Sequence, residues 1–443
     1  MILQTIIPKF PTRHEIYFLF LFLGLPIWWA LGMQNFIWPL LAFPLFLSLL
    51  LRGGIRLPPG FGIWLLFIVW MIASATRVEG DLRWLAFIYR ALMYVSATIL
   101  FLYIFNASRR DLADRVVVNA LAAYWVLVAI GGFLALIFPG VSFRSLAMTF
   151  MPQELLNVQF VSDVIQPGFG EVHRILGYPL PRPKTFFAYS NAWGANFALL
   201  VPFVLAALVY LKSRLGWMAL IALLVASVVP FIFSLSRAAW FSLGLGLAYV
   251  AVRFALRGSV RAAGALLLFF TAAGALLSYT PVGQVAADRM ATPHSDAGRL
   301  SMYQEAMERS KESLLLGFGT PRPSEENPNL PSIGTHGQVW LVLFSHGIPG
   351  LALFMGWFLY TLVRSGKGGS PVRLWSHVVI LIALLQTPVY ELLPMQIHVV
   401  MTAAALAWRD ITLPVDEVPR RGVPAGFQQV PTSQGGLGGG PAL

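Results

Sequence analysis

The chain has 443 residues, 57% of them apolar, 14% aromatic and only 11% charged, with a formal net charge of +12 and no cysteine. Repeated apolar runs of about 20 residues, each long enough in helix to cross a ~30 Å hydrocarbon core, exclude a soluble globular protein. The missing cysteines exclude disulfides and thiolate metal sites, and basic residues lying mainly in short connectors between apolar runs argue topology rather than nucleic-acid binding.

Twelve spans are expected, at about residues 16–32, 35–51, 60–76, 84–105, 116–138, 186–211, 215–233, 236–256, 260–280, 338–363, 374–388 and 392–408. The first run lacks a small-residue cleavage site and more apolar sequence follows, so it is expected to stay as a span. The fold class is therefore all-α and polytopic, with residues 1–412 as a single transmembrane domain without internal repeats. The tail 413–443, rich in Pro, Gly and Gln, reads as disordered.

Alternate connectors carry Lys9/Arg13, Arg52/Arg56, Arg109/Arg110/Arg115, Lys212/Arg214, Arg253/Arg257/Arg261, Arg364/Lys367/Arg373 and Arg420/Arg421. An even number of spans puts all of them on one side, which the positive-inside rule makes cytoplasmic, together with both termini. The opposite, outer side receives the long loops 139–185 and 281–337 and the short turn at residues 234–237. Within the second loop, Leu300, Tyr303, Met307 and Leu314 recur at helical spacing among Glu305, Glu308, Arg309 and Lys311, the pattern of a helix lying in the membrane interface.

Three constellations lie on that outer side. The first, RPKTFFAYSNAWG, opens the sixth span with Arg182 and Lys184 beside Tyr189 and Asn191. Basic residues snorkelling to headgroups would explain the two cations, but less of the Tyr-Ser-Asn that follows inside an apolar helix. In the second, FSLSRAAW, Arg237 follows Ser236 in a turn almost without other charge, against the positive-inside trend. An anionic partner is needed there; phosphate suits a planar guanidinium, and a distant carboxylate such as Glu171 or Glu391 is the alternative. The third places His336 between Thr335 and Gly337-Gln338 at a loop-to-helix junction, with Arg299 upstream. An imidazole with a reference pKa of ~6.5 can act as general base; the plainer role is a helix cap or headgroup contact.

Cations to hold a leaving diphosphate and a base to deprotonate an attacking hydroxyl are what transfer from a lipid diphosphate requires. No DxD-like acidic pair stands on the outer side to hold a divalent metal, so metal-independent transfer without a cofactor is expected.

The sequence resembles the O-antigen ligase and O-antigen polymerase family of bacterial membrane glycosyltransferases. The likeness rests on RPKTFFAYSNAWG, SLSRAAWFSL, and GRLSMYQEAMERSKESLLLGFG followed by THGQVWLVLFSHGIPGL, over roughly residues 182–351. It implies an undecaprenyl-diphosphate-linked glycan as donor and inverting transfer on the outer (periplasmic) face of the inner membrane, to lipid A–core (a ligase) or to another lipid-linked repeat unit (a polymerase). It also implies Arg182, or Lys184 in its place, and Arg237 at the diphosphate, Arg299 as a further phosphate contact, and His336 as activator of the acceptor hydroxyl. Tyr189, Asn191, Ser236 and Gln338 are expected to line the substrate. Gly337 departs from the pattern, since family members often carry Asn or Ser after the histidine. A lipid-linked glycan transporter is the rival class, but it should show ionisable residues near the midplane, where Arg90 is the one clear case.

Overall fold

The computed structural model describes residues 12–413, except 158, 260–263, 265–267, 269–270, 272–273, 276–277, 293, 325–331 and 368. Most of the expected ninth span (260–280) and the tail beyond Leu413 lie outside the described residues. The described chain is mostly helical. In order come α1 (Arg13–Leu23), α2 (Leu25–Ala30), α3 (Ile37–Leu50), α4 (Phe61–Ala73), α5 (Asp81–Asn106) and α6 (Asp114–Ile137). Three short helices, α7 (Leu146–Phe150), α8 (Gln153–Leu156) and α9 (Gln159–Ile165), precede a hairpin of β1 (Gly170–His173) and β2 (Leu180–Pro183). Then follow α10 (Ser190–Tyr210), α11 (Arg214–Ala226), α12 (Val228–Phe233), α13 (Arg237–Leu256), α14 (Pro281–Ala291), α15 (His294–Ser310), α16 (Gln338–Ser365), α17 (Pro371–Gln386) and α18 (Gln396–Thr412).

Among the described residues, six helical segments are long and apolar enough to cross a membrane: α5, α6, α10, the run Arg214–Phe233 formed by α11 and α12, α13 and α16. The apolar helices α3 and α17 are shorter, and the first expected span is divided at Gly24 between α1 and α2. On α5 the exposed side chains Leu82, Leu85, Ile88, Leu92 and Val95 follow helical spacing, as a lipid-facing stripe would. By contrast α18 is buried from Gln396 through Arg409, packed between α5 and α17. Apolar side chains gain little from leaving lipid for protein, so close packing and hydrogen bonds hold such helices together. Trp64 Nε1 to Thr98 Oγ1 (2.8 Å) and Trp408 Nε1 to Thr361 Oγ1 (3.1 Å) are buried examples.

α16 is broken at Gly347 (φ 69°), just before Pro349. The carbonyls freed there are taken by the segment that follows α15: Phe318 N donates to Phe344 O (2.9 Å) and Gly319 N to Ser345 O (2.8 Å), while Ile348 N donates to Leu314 O (2.8 Å). This seam fixes α15 against the first half of α16. Of the face expected to meet the membrane interface, Leu300, Met307 and Leu314 are exposed, whereas Tyr303 stacks on Trp340 with ring centroids 4.7 Å apart.

Candidate active site

The site is built at one end of the bundle, where the hairpin, the α12–α13 turn, the start of α16 and the α17–α18 turn meet. Arg182 stands opposite Glu171 in the hairpin register and is 7% exposed. Its Nε and Nη2 donate to the Ser234 carbonyl at 2.9 and 2.8 Å, and Nη2 also reaches Asn191 Oδ1 at 3.1 Å. The cation expected at the diphosphate therefore already spends two of its nitrogens on the protein, and what it grips is the turn that carries Arg237. Ser236 Oγ donates to the same Asn191 oxygen at 3.3 Å, so Asn191 joins the first two sequence motifs. A Cβ on Gly194 would lie 2.9 Å from Ser236 Cβ, which is why this close approach of α10 to the turn needs glycine.

Lys184 Nζ is 4.0 Å from Glu171, whose carboxylate also accepts from His173 Nε2 (2.8 Å) and Ser190 Oγ (2.7 Å). Burial pushes the Glu171 carboxyl up, but these bonds and the nearby Lys184 and Arg182 outweigh it and hold it below its ordinary value. Lys184 thus has an anionic partner of its own. Tyr189, 39% exposed, points its hydroxyl at Asp163 Oδ2 3.4 Å away.

Leu235, between the two serines, has φ 54°, a conformation that L residues rarely adopt. The turn hands the chain to α13, whose first residue is the partly buried Arg237. Next to it the Tyr390 hydroxyl hydrogen-bonds with Ser236 and the backbone of Ala239. Arg299 is close enough for its charge to act on Tyr390, on Arg182 and on His336. The Tyr303–Trp340 stack ties α15, one turn after Arg299, to the first turn of α16, which begins two residues after His336.

His336 is partly buried, and burial together with the Arg299 charge pushes its imidazole down to about 4. It is therefore neutral at ordinary pH and able to accept a proton. Thr335 Oγ1 gives its own proton to Ser332 O (2.6 Å), so at 3.2 Å it accepts from His336 Nδ1, leaving the lone pair on Nε2. Gly337 has φ 129°, and a Cβ there would stand 2.5 Å from Pro388 O. The departure from Asn or Ser at this position follows from that approach.

Gln338, expected to line the substrate, is fully buried instead. Its Nε2 donates to Tyr94 OH (2.6 Å), its Oε1 accepts from Leu392 N (2.9 Å) and its backbone N donates to Tyr390 O (3.0 Å). It ties the start of α16 to the α17–α18 turn, so its amide is committed to the protein rather than to a ligand.

Sequence reasoning missed Tyr390 and Arg289, and named Glu391 only as a distant ion-pair partner. Glu391 sits half-buried on the α17–α18 turn and makes no hydrogen bond among the described residues. Burial pushes its carboxyl up to about 7, against the pull of Arg90. Its signal in the sequence was a lone acid between two apolar runs. Arg289 lies one helical turn beyond the buried Val285, a spacing that puts both on one face of α14.

No curated protein matches the chain. Residues 222–355 match the family model described as O-antigen ligase (Wzy_C), a segment that holds the Arg237 turn, Arg299, His336 and the break in α16 but not the hairpin. Over that segment the chain is similar to the O-antigen ligase family, and its long apolar helices are those of an integral membrane protein.

Proposed function

We propose that this protein is a metal-independent, inverting glycosyltransferase of the O-antigen ligase type, moving a glycan from undecaprenyl diphosphate to a hydroxyl of lipid A–core. The observation that carries this reading is a neutral imidazole, His336, within the field of Arg299, whose charge also acts on Tyr390 where that hydroxyl bonds to Ser236 in the turn that bears Arg237. In the step proposed, the acceptor hydroxyl attacks the anomeric carbon of the donor glycan. The bond from that carbon to the diphosphate oxygen breaks, undecaprenyl diphosphate leaves as an anion, and the hydroxyl proton passes to His336 Nε2. Arg237 and Arg299 stabilise the negative charge that grows on the leaving oxygen, the part a metal ion plays elsewhere. Arg182 acts through the turn it holds, and Tyr189 and Asn191 face the glycan.

This reading keeps residues 1–412 as one catalytic domain of twelve spans in the bacterial inner membrane, with both termini cytoplasmic and the site periplasmic. The exposed Leu300, Met307 and Leu314 then lie in the outer interface, beside the lipid carrier. The test is to incubate purified protein with lipid-linked repeat units, with and without lipid A–core, in EDTA. Product that requires the core supports the ligase. Ladder growth without it makes the protein a polymerase, and inhibition by EDTA that Mg²⁺ reverses contradicts the metal-free step.

A further inference from the structure

We propose that Arg289 is a positioning residue which, with Arg182, clamps the turn Ser234-Leu235-Ser236 from two sides and so fixes the direction in which Arg237 faces the donor diphosphate. The inference rests on the diphosphate role proposed above for Arg237.

The Thr280 side chain caps α14 by accepting from Gly283 N, and the helix packs on α12. Val285 is buried there in a small cluster with Leu180, Ile232 and Leu235. Arg289, 5% exposed on the same face, donates from Nε to Leu235 O at 3.2 Å and from Nη1 to Thr292 O at 3.1 Å. Arg182 meanwhile donates to Ser234 O. Two successive carbonyls of one turn therefore each accept from a buried guanidinium, one from the hairpin and one from α14. The turn's N–H groups are also occupied, Ser234 N on Pro230 O, Leu235 N on Ile232 O, and Ser236 N on Ser234 Oγ. A leucine at φ 54° persists only where its surroundings over-determine it, and these bonds do so. Without the Nε donor the Leu235 carbonyl is left buried and unpaired, and Arg237, two residues on, loses its fixed bearing.

Covalent geometry supplies the test. Glutamine places Nε2 at the same number of bonds from Cα as arginine Nε, so Arg289→Gln keeps the donor and drops the charge. Lysine has a methylene at that place and its ammonium one atom farther out, so Arg289→Lys keeps the charge and drops the donor. Arg289→Met has neither. In the purified full-length protein, inorganic pyrophosphate is titrated and transfer from a polyprenyl-diphosphate glycan is measured. Arg289→Gln should stay within about 3-fold of the parent in pyrophosphate Kd and donor KM, while the Lys and Met variants weaken both by about 10-fold or more. The acceptor KM should not move. In an Arg237→Ala background, Arg289→Met should add nothing further.

The clamp is overturned if Lys rescues and Gln does not, which would put the Arg289 charge on the substrate. It is equally overturned if all three variants match the parent, if the parent does not bind pyrophosphate, or if the double variant shows an additive loss. A parent that binds pyrophosphate with the expected variant pattern yet transfers no glycan would sink the glycosyltransferase reading and leave the clamp standing.

Discussion

The two ends of the helical bundle use arginine in opposite ways. At the end away from the site, fully buried Arg409 lies 3.3 Å from Asp114 Oδ1, Arg109 lies 2.8 Å from Asp114 Oδ2, and Arg373 lies 4.0 Å from Asp410. Each guanidinium there faces a carboxylate besides the backbone carbonyls that Arg409 and Arg373 also bond, and the ends of α6, α17 and α18 are stapled together. At the site end, about 35 Å along α6 at 1.5 Å per residue, the direct partners of Arg182 are a backbone carbonyl and an amide oxygen. Glu171, whose charge acts on Arg182, is itself held by His173, Ser190 and Lys184. A guanidinium bonded to neutral oxygens is anchored without being neutralised, so its field remains available to an anion. Arginine at the first end closes the structure, and at the second it prepares a site.

Substitutions can break or sharpen this contrast. The largest expected effect is that of Arg237→Ala, which should lower transfer on the order of 10³-fold, the scale for losing a charge-stabilising donor, with the protein still folded. Near-normal turnover would remove the site end from the diphosphate altogether. Next, His336→Ala should cost about 10²-fold, the low end for a general base, because an imidazole held at about 4 is a weak one. The sign of the pH dependence follows: His336 takes up a proton as pH falls through about 4 and then has no lone pair to offer. The acid limb of kcat/KM should therefore lie near 4 rather than 6.5. An acid limb near 7 that Glu391→Gln abolishes would instead transfer the base to that carboxylate.

Lys184→Ala is expected to change donor KM only about 3-fold, since its ammonium already faces Glu171, as in a partly exposed ion pair. A loss as deep as that of Arg237→Ala would give Lys184 the first cationic role. At the other end of the bundle, Arg409→Met should destabilise by about 3 kcal/mol, read as a lowered Tm, because it takes a partner from the partly buried Asp114 and leaves the Ile104 and Leu112 carbonyls without their donor. Transfer per folded molecule should stay unchanged, and a fall in turnover without a fall in Tm would erase the distinction between the two ends.

Much of this was legible in the residues. Apolar run length marked the long helices α5, α6, α10, α13 and α16, because a bilayer imposes its thickness on the sequence. Helical spacing marked α15, and His336 was placed at the start of α16 by its flanking glycines. What could not be read was how each polar group spends its hydrogen bonds. Arg182 and Arg237 look alike as outer arginines, yet one holds the turn from which the other extends. Gln338 looked like a lining residue beside the histidine and is a buried tie. Arg289 and Tyr390 carried no sequence signal strong enough to compete with the motifs, since their importance comes from partners 54 and more residues away.

The sequence by itself determined that this is a helical membrane protein with Arg182, Arg237, Arg299 and His336 in the connectors between its apolar runs, because hydrophobic length and charge distribution are local properties of the chain. Only the tertiary structure decided which of those groups are anchors and which face the site. A hydrogen bond belongs to two segments at once, and the chain names its partners only by folding.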